Sequence, residues 1–160
     1  MLICRVGVQT KFGRFVLEAN AIGLTRVVFP PNAARLADTA SLNALICRAA
    51  RQLENYFQGA PYNFKDLDYD FSELTSFQKK ILQTLLRARQ STLAYSELAE
   101  MSGFPRSSRA VGTVMNKNPF PILIPCHRVV QAGGELGGYA FGSVWKKRLL
   151  EHENALGAAL

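Results

Sequence analysis

The stretch Tyr95-Ser96-Glu97-Leu98-Ala99-Glu100-Met101-Ser102-Gly103-Phe104-Pro105-Arg106-Ser107-Ser108-Arg109-Ala110-Val111-Gly112-Thr113-Val114-Met115-Asn116 sets the character of the second half of the chain. Its first part predicts a short helix over about Tyr95 to Met101 that ends at Gly103, and a second helix begins after Pro105. On that second helix Ala110, Val111, Val114 and Met115 cluster on one face. Arg106, Arg109, Thr113 and Asn116 step i, i+3, i+7, i+10 on the other. Two short helices joined by a tight glycine-containing turn make a helix-turn-helix, whose second helix presents a polar stripe outward. By pattern alone, an ordinary solvated helix face is the alternative.

Upstream, Thr75-Ser76-Phe77-Gln78 is a capping-box pattern, and Phe77, Ile81, Leu82, Leu85 and Leu86 share one face of the helix it opens. Closer to the N-terminus, Leu2 to Val8, Arg14 to Ala19 and Ile22 to Phe29 are short runs rich in β-branched residues, separated by Gly13 and Gly23. They read as an antiparallel meander, with Cys4 in its first strand and in the core. A helix follows from Ser41, its N-cap, to Gln58, with Leu42, Leu45, Ile46, Ala49, Leu53, Tyr56 and Phe57 at three- and four-residue steps and Gly59-Ala60-Pro61 as a stop. Cys47 falls off the centre of that face. Residues 61–73 interleave acidic and aromatic side chains and read as a connector. The fold class is therefore α+β, with an N-terminal lobe over residues 1–72 and a C-terminal domain over 73–160.

Formal charge is +7 with a pI near 9.6, and it is uneven: residues 73–160 hold 11 Lys/Arg against 6 Asp/Glu, residues 1–72 hold 8 against 6. The second half is thus the better candidate for a polyanion, although so small a surplus also suits a protein that never meets nucleic acid. With 48% hydrophobic and 19% charged residues the composition is that of a folded chain. Cys4, Cys47 and Cys126 are odd in number, widely spaced and contain no C-x-x-C, which argues against a disulfide framework or a zinc knuckle and suits a reducing compartment. No apolar run approaches membrane-spanning length, so a soluble, intracellular protein is expected.

The segment Asn118-Pro119-Phe120-Pro121-Ile122-Leu123-Ile124-Pro125-Cys126-His127-Arg128-Val129-Val130 brings a cysteine and a histidine to the end of an apolar run stiffened by three prolines. Thiolate is the nucleophile, and His127 and Arg128 are neighbours of the type that lowers a thiol pKa. Adjacency alone does not separate a nucleophile from a buried structural thiol, because successive strand residues face opposite ways. A turn or a bridging water is required. The last helix, about Ser143 to Leu156, supplies more: Trp145, Leu149 and Leu156 define its inward face, Glu153 falls near that face, and Glu151 lies opposite. A carboxylate on an apolar stripe needs a partner, and His127 is the candidate. His152 reads as a helix-end histidine.

These residues resemble the O6-alkylguanine-DNA alkyltransferases, or methylated-DNA–protein-cysteine methyltransferases. The resemblance is most specific at Pro125-Cys126-His127-Arg128-Val129, runs collinearly from about Phe77 to Glu153, and is general over residues 1–72. It implies a ribonuclease-H-like N-terminal lobe and a helical, winged-helix-like C-terminal lobe carrying the helix-turn-helix. It implies that Cys126 is the alkyl acceptor, His127 the base acting through water, Glu153 the carboxylate orienting that base, and Asn118 the brace of the active-site turn. Arg109 matches the finger that enters the base stack, and Tyr95 the tyrosine that crowds the phosphate beside the target. Arg106, Thr113, Asn116 and Arg128 complete the expected DNA contacts, and Tyr139, Ala140, Val129 and Pro121 the expected guanine pocket. Ala140 stands where many members carry serine, and Phe141 where glycine is frequent. The implied partner is double-stranded DNA containing O6-alkylguanine, entered from the minor groove by a monomer. No cofactor and no metal are implied, and the location is cytoplasmic, or nuclear in a eukaryote. Rival readings from the residues are a damage-binding relative, which would lack Cys126, a Cys-His hydrolase, and a plain helix-turn-helix regulator.

Overall fold

The computed structural model describes residues 1–41 and 43–155. The chain divides into two compact units, Met1–Glu73 and Leu74–Leu160, and is α+β.

In the first unit, β1 (Cys4–Thr10), β2 (Gly13–Ala19) and β3 (Leu24–Val28) form an antiparallel meander in the order β1-β2-β3. Neighbouring strand residues face opposite sides of a sheet, yet Phe15, Val16 and Leu17 are all fully buried. Both faces of β2 are therefore covered. Phe15 stacks on Phe57 of the helix α1 (Ala44–Gln58), with ring centroids 5.1 Å apart, while Val16 packs with Val28, Ala33 and Leu36 on the other side. Arg14 ties that second layer down by donating from Nη1 to the carbonyls of Ala33 (2.6 Å) and Leu36 (2.9 Å). At Gly23 a Cβ would stand 2.8 Å from the backbone of Asp68 and Tyr69, which pairs with Leu24, so only glycine lets the connector run beside β3.

Helix α1 begins two residues later than the sequence reading has it. Asn43, not Ser41, is the N-cap, its side chain accepting from the Ile46 amide at 2.9 Å. Leu42 lies outside the described residues. Cys47 is exposed and Cys4 is buried in β1.

The second unit contains α2 (Ser76–Arg87), α3 (Tyr95–Met101), α4 (Ser108–Asn116) and α5 (Ser143–Ala155), with a two-residue parallel ladder between β4 (Leu93–Ala94) and β5 (Val129–Val130). The α2 capping box forms in both directions: the Thr75 side chain accepts from the Gln78 amide, and the Gln78 side chain accepts from the Thr75 amide. Leu98 and Ala99 of α3 and Val111, Val114 and Met115 of α4 fill the core beneath the turn at 102–107. Two details depart from expectation. Ala110 is exposed, so the inward face of α4 is narrower than four residues. Arg106 is not on the helix: it precedes α4 with φ 68, in the turn itself. No helix among the described residues is long and apolar enough to cross a membrane.

Candidate active site on the C-terminal unit

The approach to Cys126 is fixed before the cysteine is reached. Asn118, buried, donates from Nδ2 to the Ile124 carbonyl (2.9 Å) and accepts at Oδ1 from the Phe120 amide (2.9 Å), closing residues 118–124 into a braced turn. At its tip Ile122 is 1% exposed and adopts φ 72, a left-handed conformation that costs a β-branched residue roughly 1–3 kcal/mol. Pro121 is buried in the same turn. The chain then leaves Pro125 into a single 3-10 turn, Cys126–Arg128, and continues as β5. That turn is what lets adjacent side chains work together, since a strand would have sent them to opposite faces.

His127 and Arg128 both turn to α5. His127 Nε2–H donates to Glu153 Oε1 at 2.6 Å, and Arg128 donates from Nε to Oε2 (2.9 Å) and from Nη2 to Oε1 (3.2 Å). All three side chains are buried. Burial by itself would raise the Glu153 carboxyl, but His127 and Arg128 outweigh it and hold the group at about 2, below the ordinary 4.5. An ionised carboxylate only accepts, so the proton of the shared bond sits on His127 Nε2. Nδ1, also buried, has no hydrogen-bond partner among the described residues, and in the neutral ring it carries the lone pair. A carboxyl held down in this way stabilises the fold fully above pH 4.5, and that contribution is lost as the pH falls toward 2. Wild-type protein is expected to lose about 3 kcal/mol of stability across that window from Glu153 alone. Melting curves taken at several pH values from about 5 to about 2 should show a steeper loss for wild type than for Glu153→Gln.

Two expectations are corrected here. Arg128 is 6% exposed and committed to Glu153, so it is an internal counter-charge and not a surface contact for DNA. Cys126 is 2% exposed, and burial pushes its thiol above the usual range rather than below it. The groups that oppose this are the side chains of Asn118 and Tyr139, which stabilise the thiolate by hydrogen bonding, and the charge of Lys146. His127 and Arg128 are occupied elsewhere.

Lys146 is the residue that sequence reasoning missed. It is 0% exposed, donating from Nζ to the carbonyls of Val129 (2.6 Å) and Gly138 (3.1 Å) and lying 5.8 Å from the ring centre of Tyr95. The inward face of α5 is therefore Lys146, Leu149, His152 and Glu153, displaced from the expected Trp145 stripe; Trp145 is half-buried under the Arg148 guanidinium, 4.8 Å from its ring centre. Leu156 lies outside the described residues. The spacing of Lys146, Leu149 and Glu153, i, i+3, i+7, was the available signal, obscured because lysine is ordinarily a surface residue.

Tyr95 opens α3, half-buried, its phenol raised first by burial and then by the neighbouring Cys126 charge. Gly137, at φ 68, approaches it so closely that an added Cβ would lie 3.5 Å from the Tyr95 hydroxyl. Tyr139 and Phe141 follow on the same loop with rings 5.5 Å apart; Val129 is buried and Ala140 exposed. Arg109, Thr113 and Asn116 form an exposed stripe along α4.

One unit thus carries a helix-turn-helix and a buried cysteine beside a buried histidine–carboxylate pair, the combination expected of a DNA-binding protein with thiol chemistry. Residues 76–155 match the family described as the 6-O-methylguanine DNA methyltransferase DNA-binding domain. A methylated-DNA–protein-cysteine methyltransferase of Methanosarcina barkeri is 39% identical over 150 residues, covering 91% of this chain and 94% of the relative. The human protein of the same name is 45% identical over 80 residues, 49% of this chain and 39% of the relative. A crystal structure of Mycobacterium tuberculosis OGT in complex with DNA superposes with a TM-score of 0.80 at 32% identity, covering 95% of this chain and 93% of that one. The chain belongs to the methylated-DNA–protein-cysteine methyltransferase family.

Proposed function

We propose that this protein repairs alkylated DNA by direct reversal, moving a methyl or other alkyl group from O6 of guanine onto Cys126, once per molecule. The observation that carries the reading is the arrangement of Cys126 beside a His127–Glu153 pair within the segment that matches the family's DNA-binding domain. His127 Nδ1 takes the thiol proton through one water, while Glu153 fixes the ring and its tautomer. The sulfur electron pair then forms a bond to the alkyl carbon as the carbon–oxygen bond breaks, and the guanine leaves with the electrons of that broken bond and takes up a proton. A thioether has no ready leaving group, so the acceptor is spent and no cofactor enters.

An O6 atom inside a duplex is out of reach of a buried sulfur, so the target nucleotide must swing out. Arg109, exposed on α4, fills the gap in the stack, Tyr95 crowds the adjacent phosphate, and Thr113, Asn116 and Arg106 bind the backbone from the minor groove. Val129, Tyr139, Ala140 and Pro121 frame the base. The same reading takes the first unit as ribonuclease-H-like and the second as winged-helix-like, supported by the meander and the helix-turn-helix, and takes the protein as a cytoplasmic monomer.

The test is to incubate the protein with a duplex oligonucleotide containing O6-methylguanine and to measure intact and peptide masses. One methyl on the peptide carrying Cys126, equal in amount to the guanine restored, is the expected result. Repeated turnover without an adduct would exclude the reading. Arg109→Ala is expected to slow single-turnover repair at saturating DNA, since extrusion costs a few kcal/mol that the inserted side chain offsets. An unchanged rate would remove Arg109 from that role.

A further inference from the structure

Helix α2 carries no acidic residue along its whole length, and its cations Lys79, Lys80 and Arg87 are all exposed. At about 100° per residue, Lys80 and Arg87 fall within about 20° of each other, with Thr84 between them and Lys79 and Gln83 alongside. That stripe lies opposite Ile81, Leu82 and Leu85, which are buried. From Lys80 to Arg87 it runs about 10 Å along the helix. Arg89, exposed just beyond the last turn, extends it.

Cations on a surface helix are ordinarily balanced by carboxylates three or four residues away. Here they are not. Of the carboxylates in this unit, Glu153 and Glu151 pair with Arg128 and Lys147, and Glu97 accepts from the Ala94 amide. Among the described residues, no carboxylate lies within ion-pair distance of Lys79, Lys80, Arg87 or Arg89.

Helices α2, α3 and α4 pack on one another, so the outward side of each is turned away from the other two. The basic stripe of α2 and the Arg109 stripe of α4 therefore face different directions. Duplex DNA is stiff over about 150 base pairs, and a segment seated on α4 does not bend round to α2. The stripe suits a second polyphosphate. It has no exposed aromatic on which unpaired bases would stack, and none of the large apolar side chains by which a helix enters a membrane surface; Phe77 is turned in against Phe104. Lysine and arginine alone match a duplex backbone, which is read without regard to sequence.

We propose that the outward face of α2 is a second duplex-binding surface, through which a molecule held on one DNA segment by α4 captures another segment and passes to it. The proposal rests on α4 being the first DNA contact. A protein that acts once per molecule gains from such transfer, because its target base is scarce among undamaged duplex.

The test is the release of the full chain from a short fluorescent undamaged duplex, chased with unlabelled duplex at rising concentration. With one DNA surface the release rate is independent of the chase, whereas a second surface admits a ternary intermediate and release accelerates. Wild type is expected to release at least about threefold faster across a roughly hundredfold range of chase. In Lys79→Gln/Lys80→Gln/Arg87→Gln that acceleration should vanish, while single-turnover methyl transfer at saturating duplex stays within about twofold of wild type. Glutamine matches lysine and arginine in helix propensity, so α2 is retained, as circular dichroism will show. Lys11→Gln/Lys65→Gln/Lys147→Gln removes the same charge from exposed positions elsewhere and should keep the acceleration.

Wild-type release that ignores the chase, acceleration that survives in the α2 variant, or acceleration lost equally in the control variant would overturn the proposal. Failure of the α4 reading is distinguishable. Arg109→Glu should weaken the first duplex by roughly tenfold or more if α4 holds it, and an affinity within about twofold of wild type would refute that contact instead.

Discussion

Cys126→Ser is expected to abolish methyl transfer, by a factor on the order of 10³ or more, equivalent to at least about 4 kcal/mol of barrier. The substitution exchanges one atom inside a packed site, so the brace around it persists: Asn118 holds the Ile124 carbonyl and the Phe120 amide whatever the acceptor is. What changes is ionisation. Burial already pushes the Cys126 thiol upward, and a serine hydroxyl in the same surroundings starts from a far less acidic group and is a weaker nucleophile toward saturated carbon. Neither Asn118, Tyr139 nor Lys146 can compensate a gap of that size. Duplex affinity, by contrast, should be unchanged, since the exposed stripe of α4 is built from other residues. Single-turnover kinetics with O6-methylguanine duplex, alongside a binding isotherm, check both halves. Persistent repair by the serine variant would remove Cys126 as the acceptor.

Glu153→Gln is expected to cost more in stability than any surface change. The carboxylate neutralises Arg128 and fixes His127 in a site where all three are buried. Removing one member of a buried ion pair leaves the other uncompensated, and such changes cost about 3–5 kcal/mol. For a chain of this size that corresponds to a fall in Tm of roughly 6–20 °C. Transfer should slow as well, by at least about 10²-fold, because an amide neither enforces the Nε2–H tautomer nor stabilises the imidazolium that forms. Combining Glu153→Gln with Arg128→Met should recover part of the stability, since the orphaned charge goes with it, but none of the rate. Recovery of both together would mean that Glu153 matters only for folding.

The parts of this fold written in short-range pattern were legible. The β-branched runs gave the meander, the Thr75–Gln78 box gave the start of α2 and the apolar steps its inward face, and α3 has the bounds its pattern predicts. Ends and faces were less so. Ser41 and Asn43 are both capable caps, and what selects between them is how α1 packs against the sheet, which no local pattern encodes. Arg106 fits the helical stripe by spacing but occupies a positive-φ turn. In the site, the contact between His127 and Glu153 was accessible from helical periodicity, because a carboxylate on an apolar face asks for a partner. Arg128 and Lys146 were not, because arginine and lysine are assigned to the surface by default, and each is buried here by one specific set of acceptors.

The left-handed backbone at Ile122 gives the turn before the acceptor a particular mechanical character. A conformation that costs energy at a buried, branched residue is held only by its surroundings, much as a bent spring is held by its catch. Asn118 is the catch, through two hydrogen bonds to the ends of that turn. If either bond is lost, the recoil runs toward Cys126, four residues on, and a sulfur with one address acquires several. Precision of the acceptor and integrity of the turn are thus a single property, set by an asparagine side chain and paid out at a thiol.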